Sequence, residues 1–305
     1  MRVAAVDCGT NSIRLLIADI DDGRLTDVVR VMRVVRLGEG VDVSGRLSPA
    51  AITRTWDAVS DYAAQIRGAG AQRVRMVATS ASRDAENAEE FVAGVVQRLG
   101  IAPEVISGEE EAALSFAGAV SAVDVPGTVA VVDIGGGSTE FVVGMSGVET
   151  AVSENVGCVR MTERHLHDDP PTAAQVAAAT RDIDSAVGHA ITVTGFDTAD
   201  QLVGLAGSVT TVAALAMNLP EYDSQRIHGS RISASQVHEV TGRMLAATRA
   251  QRGREPVMHP GRVDVIGGGA LVLDRILALG GFAEVVVSEH DILDGIALSL
   301  AATGQ

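Results

Sequence analysis

The chain has 305 residues, 47% of them hydrophobic, which is enough for two domains of about 100–200 residues each and excludes a disordered or low-complexity protein. Its net charge of −15 excludes broad binding to nucleic acid or to an anionic membrane surface. All 24 basic residues are arginine, so a lysine-bearing phosphate loop, a lysine Schiff base and a lysine general base are excluded as well.

The two cysteines, Cys8 and Cys158, lie far apart and form neither a disulfide framework nor a zinc pattern. The N-terminus runs straight into a strand with an acid at position 7, unlike a signal peptide, and no apolar run reaches the ~20 residues that span a bilayer. A cytoplasmic location is expected, with no membrane partner and no nucleic-acid partner.

The first element is the strand Val3–Val6, which ends in Asp7-Cys-Gly-Thr-Asn-Ser12 and turns into a second strand to Ile17. Val28–Leu37 is β-branched and arginine-rich, the pattern of a third strand; Arg30, Arg33 and Arg36 read as solvated cations or as an anion-facing edge. Ser48-Pro49 opens a helix, with a serine cap and proline at the first helical position, that runs to about Arg67. Arg73–Ala78 is a buried strand that passes through Thr79–Asn87 into a helix reaching about Leu99. Ser80, Ser82 and Arg83 then sit near a helix N-terminus, where they serve either the helix end or an anion.

Ser107 and Glu110 have capping-box spacing, and Glu109 suits the positive end of that helix. Glu111 has less structural explanation. Its helical neighbours Leu114 and Ser115 place it on a drier face, where a carboxylate can act as a base.

The second half opens on Val129-Ala-Val-Val-Asp-Ile-Gly-Gly-Gly-Ser-Thr-Glu-Phe-Val-Val143. An apolar strand runs into Asp133, three glycines (Gly135, Gly136, Gly137) and two hydroxyls (Ser138, Thr139), then a second strand. Glycines let the backbone approach a ligand and converge its N–H groups on an anion. An acid beside bound phosphate most simply holds a divalent cation. The stretch aligns without gaps on Val3–Ile17 at an offset of 126, with Asp7 on Asp133, Gly9 on Gly135 and Ser12 on Ser138. Such an internal repeat predicts two similar domains facing each other across a cleft, each with one carboxylate and one anion-cradling loop.

Farther along, Glu149–Val156 is a strand. His165, His167, Asp168 and Asp169 precede Pro170-Pro171 and read as a polar loop rather than a metal site. Thr172 and Gln175 box the start of a helix to about Ile191. Leu202–Leu215 is a strand, then Gly207-Ser208, with Ser208 expected to cap a helix from Val209 and its amides available to an anion. Ser233 and Gln236 cap a helix to about Ala250, Arg262–Ile276 reads as another strand–glycine–helix junction, Val285–Ser288 as a strand and Ile292–Ala302 as a closing helix.

Asp7–Ser12, Ala78–Arg83 with Asn87, Ser107–Ala112, Asp133–Glu140, Gly157–Glu163, Gly207-Ser208 and Arg262–Gly269 together resemble the exopolyphosphatase/guanosine pentaphosphate phosphatase family (Ppx/GppA), in order and along nearly the whole chain. The resemblance implies an α/β protein of two actin-like (ribonuclease H-like) domains of the actin-like ATPase superfamily. We expect residues 1–125 and 126–305 as domains, with a C-terminal helix at about 291–305 that can pack back on the first.

It also implies metal-dependent release of the terminal phosphate of inorganic polyphosphate. The alternatives are the 5′-phosphate of guanosine pentaphosphate as substrate, a non-catalytic guanosine tetraphosphate sensor, or a phosphotransferase of the same superfamily. On this reading Glu111 is the catalytic glutamate and Arg83 pairs with the terminal phosphate. Gly9, Thr10, Asn11, Ser12, Gly135, Gly136, Gly137, Ser138, Gly207 and Ser208 hold phosphate oxygens. Asp7, Asp133 and Glu140 hold Mg²⁺, or Mn²⁺ in its place. The partners expected are inorganic polyphosphate or guanosine penta- and tetraphosphate, with a homodimer as the commonest assembly. Longer members of the family append a helical domain with a His-Asp motif; this chain resembles the short, two-domain form.

Overall fold

The protein is described by a computed structural model covering residues 1–121 and 126–302. It divides into two compact units, Met1–Gly118 with Ile292–Gln305, and Ala119–Asp291. The residue expected to end the first domain, 125, lies outside the described residues.

In the first unit, strands β1 (Arg2–Cys8), β2 (Ser12–Asp21), β3 (Arg24–Val34), β4 (Arg73–Ala78) and β5 (Glu104–Val105) form one sheet in the order β3-β2-β1-β4-β5. The β1–β2 and β2–β3 pairs are antiparallel, and β4 runs parallel to β1 and β5 to β4. The central strand β1 is apolar on both faces because both are covered. Ala4, Val6 and Cys8 point into a core with the helix Pro49–Ala69, whereas Val3 and Ala5 face Ile292, Leu293, Ile296 and Ala297 of the helix Ile292–Ala302.

The second unit repeats the plan. Strands β6 (Val129–Ile134), β7 (Thr139–Gly144), β8 (Val148–Glu154), β9 (Gln201–Leu205), β10 (Arg231–Ser233) and β11 (Glu284–Val287) run in the order β10-β11-β9-β6-β7-β8. Three antiparallel strands followed by parallel neighbours give each unit the ribonuclease H-like arrangement of actin-like domains. The short strand β10, antiparallel to β11, extends the second sheet and has no sequence signal beyond the Ile232 between its polar neighbours.

Sequence cues place most helices. Ser48 accepts a hydrogen bond from the Ala51 amide, and Gly70 ends that helix at φ +69°. The box at Thr172 and Gln175 opens Ala173–Thr194.

Several expectations fail for local reasons. The helix expected to reach about Leu99 forms as Ala88–Leu99, but the Thr79–Asn87 turn before it contains a short helix of its own, Ser80–Asp84, set off because Ala85 is extended and Asn87 turns its side chain to the backbone of Leu47. The helix after Ser233 ends at Ala246, where Ala247 leaves the helical region and Thr248 caps a separate turn. No strand forms at Arg262–Val265; a 3₁₀ turn, Pro260–Arg262, leads into the helix Ile266–Gly280, and Gly267–Gly269 lie inside its first turn. On β3, Arg33 is a half-exposed cation paired to the equally exposed Asp61, as the solvated reading expects, whereas Arg30 is ion-paired to Asp27 and to the buried Asp294.

Close packing against glycine fixes the C-terminal helix. A Cβ at Gly295 would overlap the Leu114 carbonyl on the helix Gly108–Val120. Backbone cannot step aside as a side-chain tip can, so Gly295→Ala is expected to destabilise the first unit by about 1–3 kcal/mol. Urea unfolding monitored by circular dichroism checks this as a lowered midpoint at unchanged slope.

Candidate active site

In the first unit the turn between β1 and β2 is closed by the Gly9 amide donating to the Ser12 carbonyl at 3.0 Å. Asp7, next to last in β1, is 3% exposed, and its antiparallel register partner is Arg14. The Arg14 guanidinium grips Asp7 Oδ2 through Nε at 3.0 Å and Nη2 at 2.6 Å. Seven residues separate the two, the spacing a tight hairpin of this length sets, so the sequence carries a signal for this partner.

Thr10 is buried and its hydroxyl lies 2.8 Å from the Ser80 hydroxyl. The Asn11 carbonyl accepts from the Val35 and Arg36 amides. Arg83 and Glu111 come together at 3.1 Å, and the same guanidinium nitrogen also donates to the Ile106 carbonyl at 2.9 Å. Glu111 is 8% exposed in the first turn of Gly108–Val120, with Glu110 bonded to the Ser107 cap and to Arg75. The unit therefore places a fixed carboxylate–guanidinium pair on the segments that follow β4 and β5.

Ser82, beside Arg83, is 2% exposed and its hydroxyl has no hydrogen-bond partner among the described residues. Removing an unsatisfied buried hydroxyl costs little, so Ser82→Ala is expected to hold or raise the melting temperature, whereas a fall of several degrees in a thermal scan would contradict the geometry.

The second unit repeats the turn: the Gly135 amide donates to the Ser138 carbonyl, again at 3.0 Å. Its surroundings differ. The Gly135 carbonyl accepts from the Cys158 amide, and the Gly136 carbonyl from the amides of Val159 and Arg160. A Cβ at Gly157 would overlap the Gly136 backbone, so the glycines here serve close approach to the helix Cys158–His165 as well as the turn.

Asp133 stands opposite Glu140 across the β6–β7 pair, where the first hairpin has Asp7 opposite Arg14. Both acids are buried, 6% and 1% exposed, and Ser153 donates to Glu140 Oε1 at 2.8 Å. Directly opposed like charges are unfavourable in a sheet, and burial raises the cost unless a cation or proton offsets them.

Gly207-Ser208 lies elsewhere than expected. The helix Ala206–Ala216 begins two residues before Ser208, which therefore sits in its first turn and does not cap it. Ala206, at φ +66°, makes the bend from β9. The guanidinium of Arg262 lies directly over Gly207, where a Cβ would overlap it; it donates to the Gly207 carbonyl and, at 3.0 Å, to the Thr211 hydroxyl. Sequence reasoning does not pick out Arg262 as a site residue; an arginine ahead of a glycine run in a chain without lysine is the signal that marks it. Burial pushes the Cys158 thiol up, with the Ser208 hydroxyl and the Arg262 charge acting the other way. Cys158 thus joins the second glycine turn to the Gly207–Ser208 corner. His165 and Asp169, the polar residues before the prolines, are tied to Asp182 and to Arg249 and Arg252.

Among the described residues no three His, Cys, Asp or Glu side chains converge as a metal cage. Magnesium does not need one, since it ordinarily takes one or two carboxylates and completes its shell with water and substrate phosphate. The buried Asp133–Glu140 pair fits that donor set. Asp7 fits less well, because one oxygen is committed to Arg14.

A family model, that of the Ppx/GppA phosphatase family, matches residues 16–302. The chain belongs to the Ppx/GppA family. It is 50% identical to Exopolyphosphatase 2 of Mycobacterium tuberculosis, covering 98% of each chain. It is similar to the crystal structure of an exopolyphosphatase-like protein, with a TM-score of 0.95, 44% identity and coverage of 98% of this chain and 97% of that one. It is also 40% identical over 171 residues to the guanosine-5′-triphosphate,3′-diphosphate pyrophosphatase of Vibrio cholerae, a stretch that covers 56% of this chain and 34% of that protein. Within the Ppx/GppA family, then, likeness to the exopolyphosphatase is the more extensive. No helix among the described residues is long and apolar enough to cross a membrane.

Proposed function

We propose that the chain is an exopolyphosphatase that hydrolyses the terminal phosphoanhydride bond of inorganic polyphosphate. The observation that carries the reading is the buried Glu111 held against Arg83, in the same unit as the Gly9–Asn11 turn. The full-length likeness to Exopolyphosphatase 2 supports polyphosphate as the substrate.

The reaction follows from charge. A terminal phosphate is densely anionic, and in-line attack by water spreads that charge over its equatorial oxygens, so positioning and electrostatics carry most of the catalysis. In the first unit the backbone amides of Gly9–Asn11 bind those oxygens with Arg83 adding donors, and in the second the Gly135–Ser138 amides and the Gly207–Ser208 corner offer donors of the same kind. Glu111 orients the water and takes its proton as the oxygen bonds to phosphorus. The bridging P–O bond breaks, and a chain one phosphate shorter departs with orthophosphate. In the second unit Asp133 and Glu140 would hold the divalent cation, Mg²⁺ or Mn²⁺, a role Asp7 would take in the first, and the cation would neutralise charge on the phosphate oxygens.

Orthophosphate release from short polyphosphate, long polyphosphate, guanosine pentaphosphate and ATP, each with Mg²⁺ and with Mn²⁺, tests the reading. Polyphosphate is expected to react fastest. Faster release from guanosine pentaphosphate would reassign the substrate. Binding of guanosine tetraphosphate with no release from any of the four would make the chain a sensor.

A further inference from the structure

We propose that Ser80 is a positioning residue, which through Thr10 ties the seating of the terminal phosphate to the aim of Glu111. The proposal rests on the hydrolytic reading above. Thr10 is the middle residue of the first glycine turn, yet its hydroxyl is turned to Ser80, 2.8 Å away, and both side chains are buried, at 6% and 3% exposed.

The other side of Thr10 is closed by Gly38. The Gly38 amide donates to the Thr10 carbonyl at 2.9 Å, and a Cβ at Gly38 would overlap the Thr10 methyl and come within 3.1 Å of Ala81. Thr10 is therefore a strut held from two sides, and the turn offers a phosphate its backbone amides rather than this hydroxyl.

Ser80 also begins the single helical turn Ser80–Asp84 that carries Arg83. Within one turn, residues three apart move together. Arg83 in turn bonds Glu111 and the Ile106 carbonyl. A path thus runs from the phosphate turn through the Thr10–Ser80 hydrogen bond, along the backbone of the Ser80–Asp84 turn to Arg83, and through its ion pair to Glu111. Breaking it leaves the amides and the carboxylate in place but frees them to drift apart. A misplacement of about 1 Å near reacting groups can cost 10²-fold in rate.

The test compares Thr10→Val, Ser80→Ala and the double variant by kcat and KM for orthophosphate release from short polyphosphate, with thermal melts alongside. Each single variant is expected to lower kcat about tenfold with KM changed less than about threefold, and the double variant to fall no lower than the worse single, because coupled residues are not additive. Thr10→Ser, which keeps the hydroxyl, is expected to regain most of the rate lost in Thr10→Val. Valine has nearly the shape of threonine, so Thr10→Val and Thr10→Ser carry the test should Ser80→Ala fail to fold.

Losses that multiply in the double variant would overturn the proposal, as would a rise in KM at unchanged kcat, which would make the Thr10 hydroxyl a phosphate ligand. If the unaltered chain releases no phosphate from any substrate, the hydrolytic reading falls and this proposal with it. An active chain with multiplying losses removes this proposal alone.

Discussion

Glu111→Gln lowers orthophosphate release from polyphosphate by two to four orders of magnitude, the range of about 10²–10⁴ that a positioned general base contributes. The substitution is nearly isosteric, and the glutamine oxygen can still accept from Arg83 at the place Glu111 Oε2 now occupies, 3.1 Å away. The Gly108–Val120 helix keeps its Ser107 cap, so the fold is expected to survive with a melting temperature within a few degrees. Glu110 is the control. It belongs to the same helical turn, but its carboxylate is half exposed and salt-bridged to Arg75, so Glu110→Gln is expected to leave turnover close to that of the unaltered chain. Measuring both by single-turnover phosphate release separates the chemical step from product release. A Glu111→Gln rate within tenfold of the original would remove the glutamate from the reaction.

Glu140→Arg is the second large effect. It gives the β6–β7 hairpin the cross-strand pair of the β1–β2 hairpin, where Asp7 faces Arg14 at the same register. Because one hairpin already folds with that pair, Asp7 buried and Arg14 partly exposed, the substituted second hairpin is expected to fold as well. Its function is expected to go: an arginine against Asp133 supplies the positive charge in place of a divalent cation and repels it. Phosphate release should drop more than about 100-fold, in line with removing electrostatic stabilisation of a phosphoryl group. Mn²⁺ binding followed by electron paramagnetic resonance should weaken in parallel. Full activity in this variant would show that the second hairpin's acids do not hold the cation.

Much of this is legible in the order of the residues. The gapless repeat of strand, acid, glycine turn and strand encodes the hairpin of each unit, and both are closed by the same Gly–Ser hydrogen bond. Caps with a local mechanism, at Ser48, Ser107, Thr172 and Ser233, are readable because the bond each makes lies within four residues. What is not readable depends on residues far apart in sequence. Gly267–Gly269 have the composition of a turn but lie in a helix, where Gly268 and Gly269 make room for Cys158 and Ser208. Arg30 has the pattern of a surface cation, yet Asp294, 264 residues later, meets it. Likewise Arg262 reaches Gly207 across 55 residues, and Thr10 reaches Ser80 across 70. Ser208 falls two residues inside its helix because Ala206 adopts a left-handed backbone that no propensity argument favours.

The central claim, that water is the acceptor of a terminal phosphate, is tested most directly by turnover of short polyphosphate in H₂¹⁸O with Mg²⁺, followed by ³¹P NMR and mass spectrometry. The account predicts a single ¹⁸O in each released orthophosphate, none in the shortened chain, and both products formed about two to four orders of magnitude more slowly with Glu111→Gln. Label in the remaining chain, or phosphate delivered to an added alcohol, sugar or carboxylic acid in place of water, would contradict it.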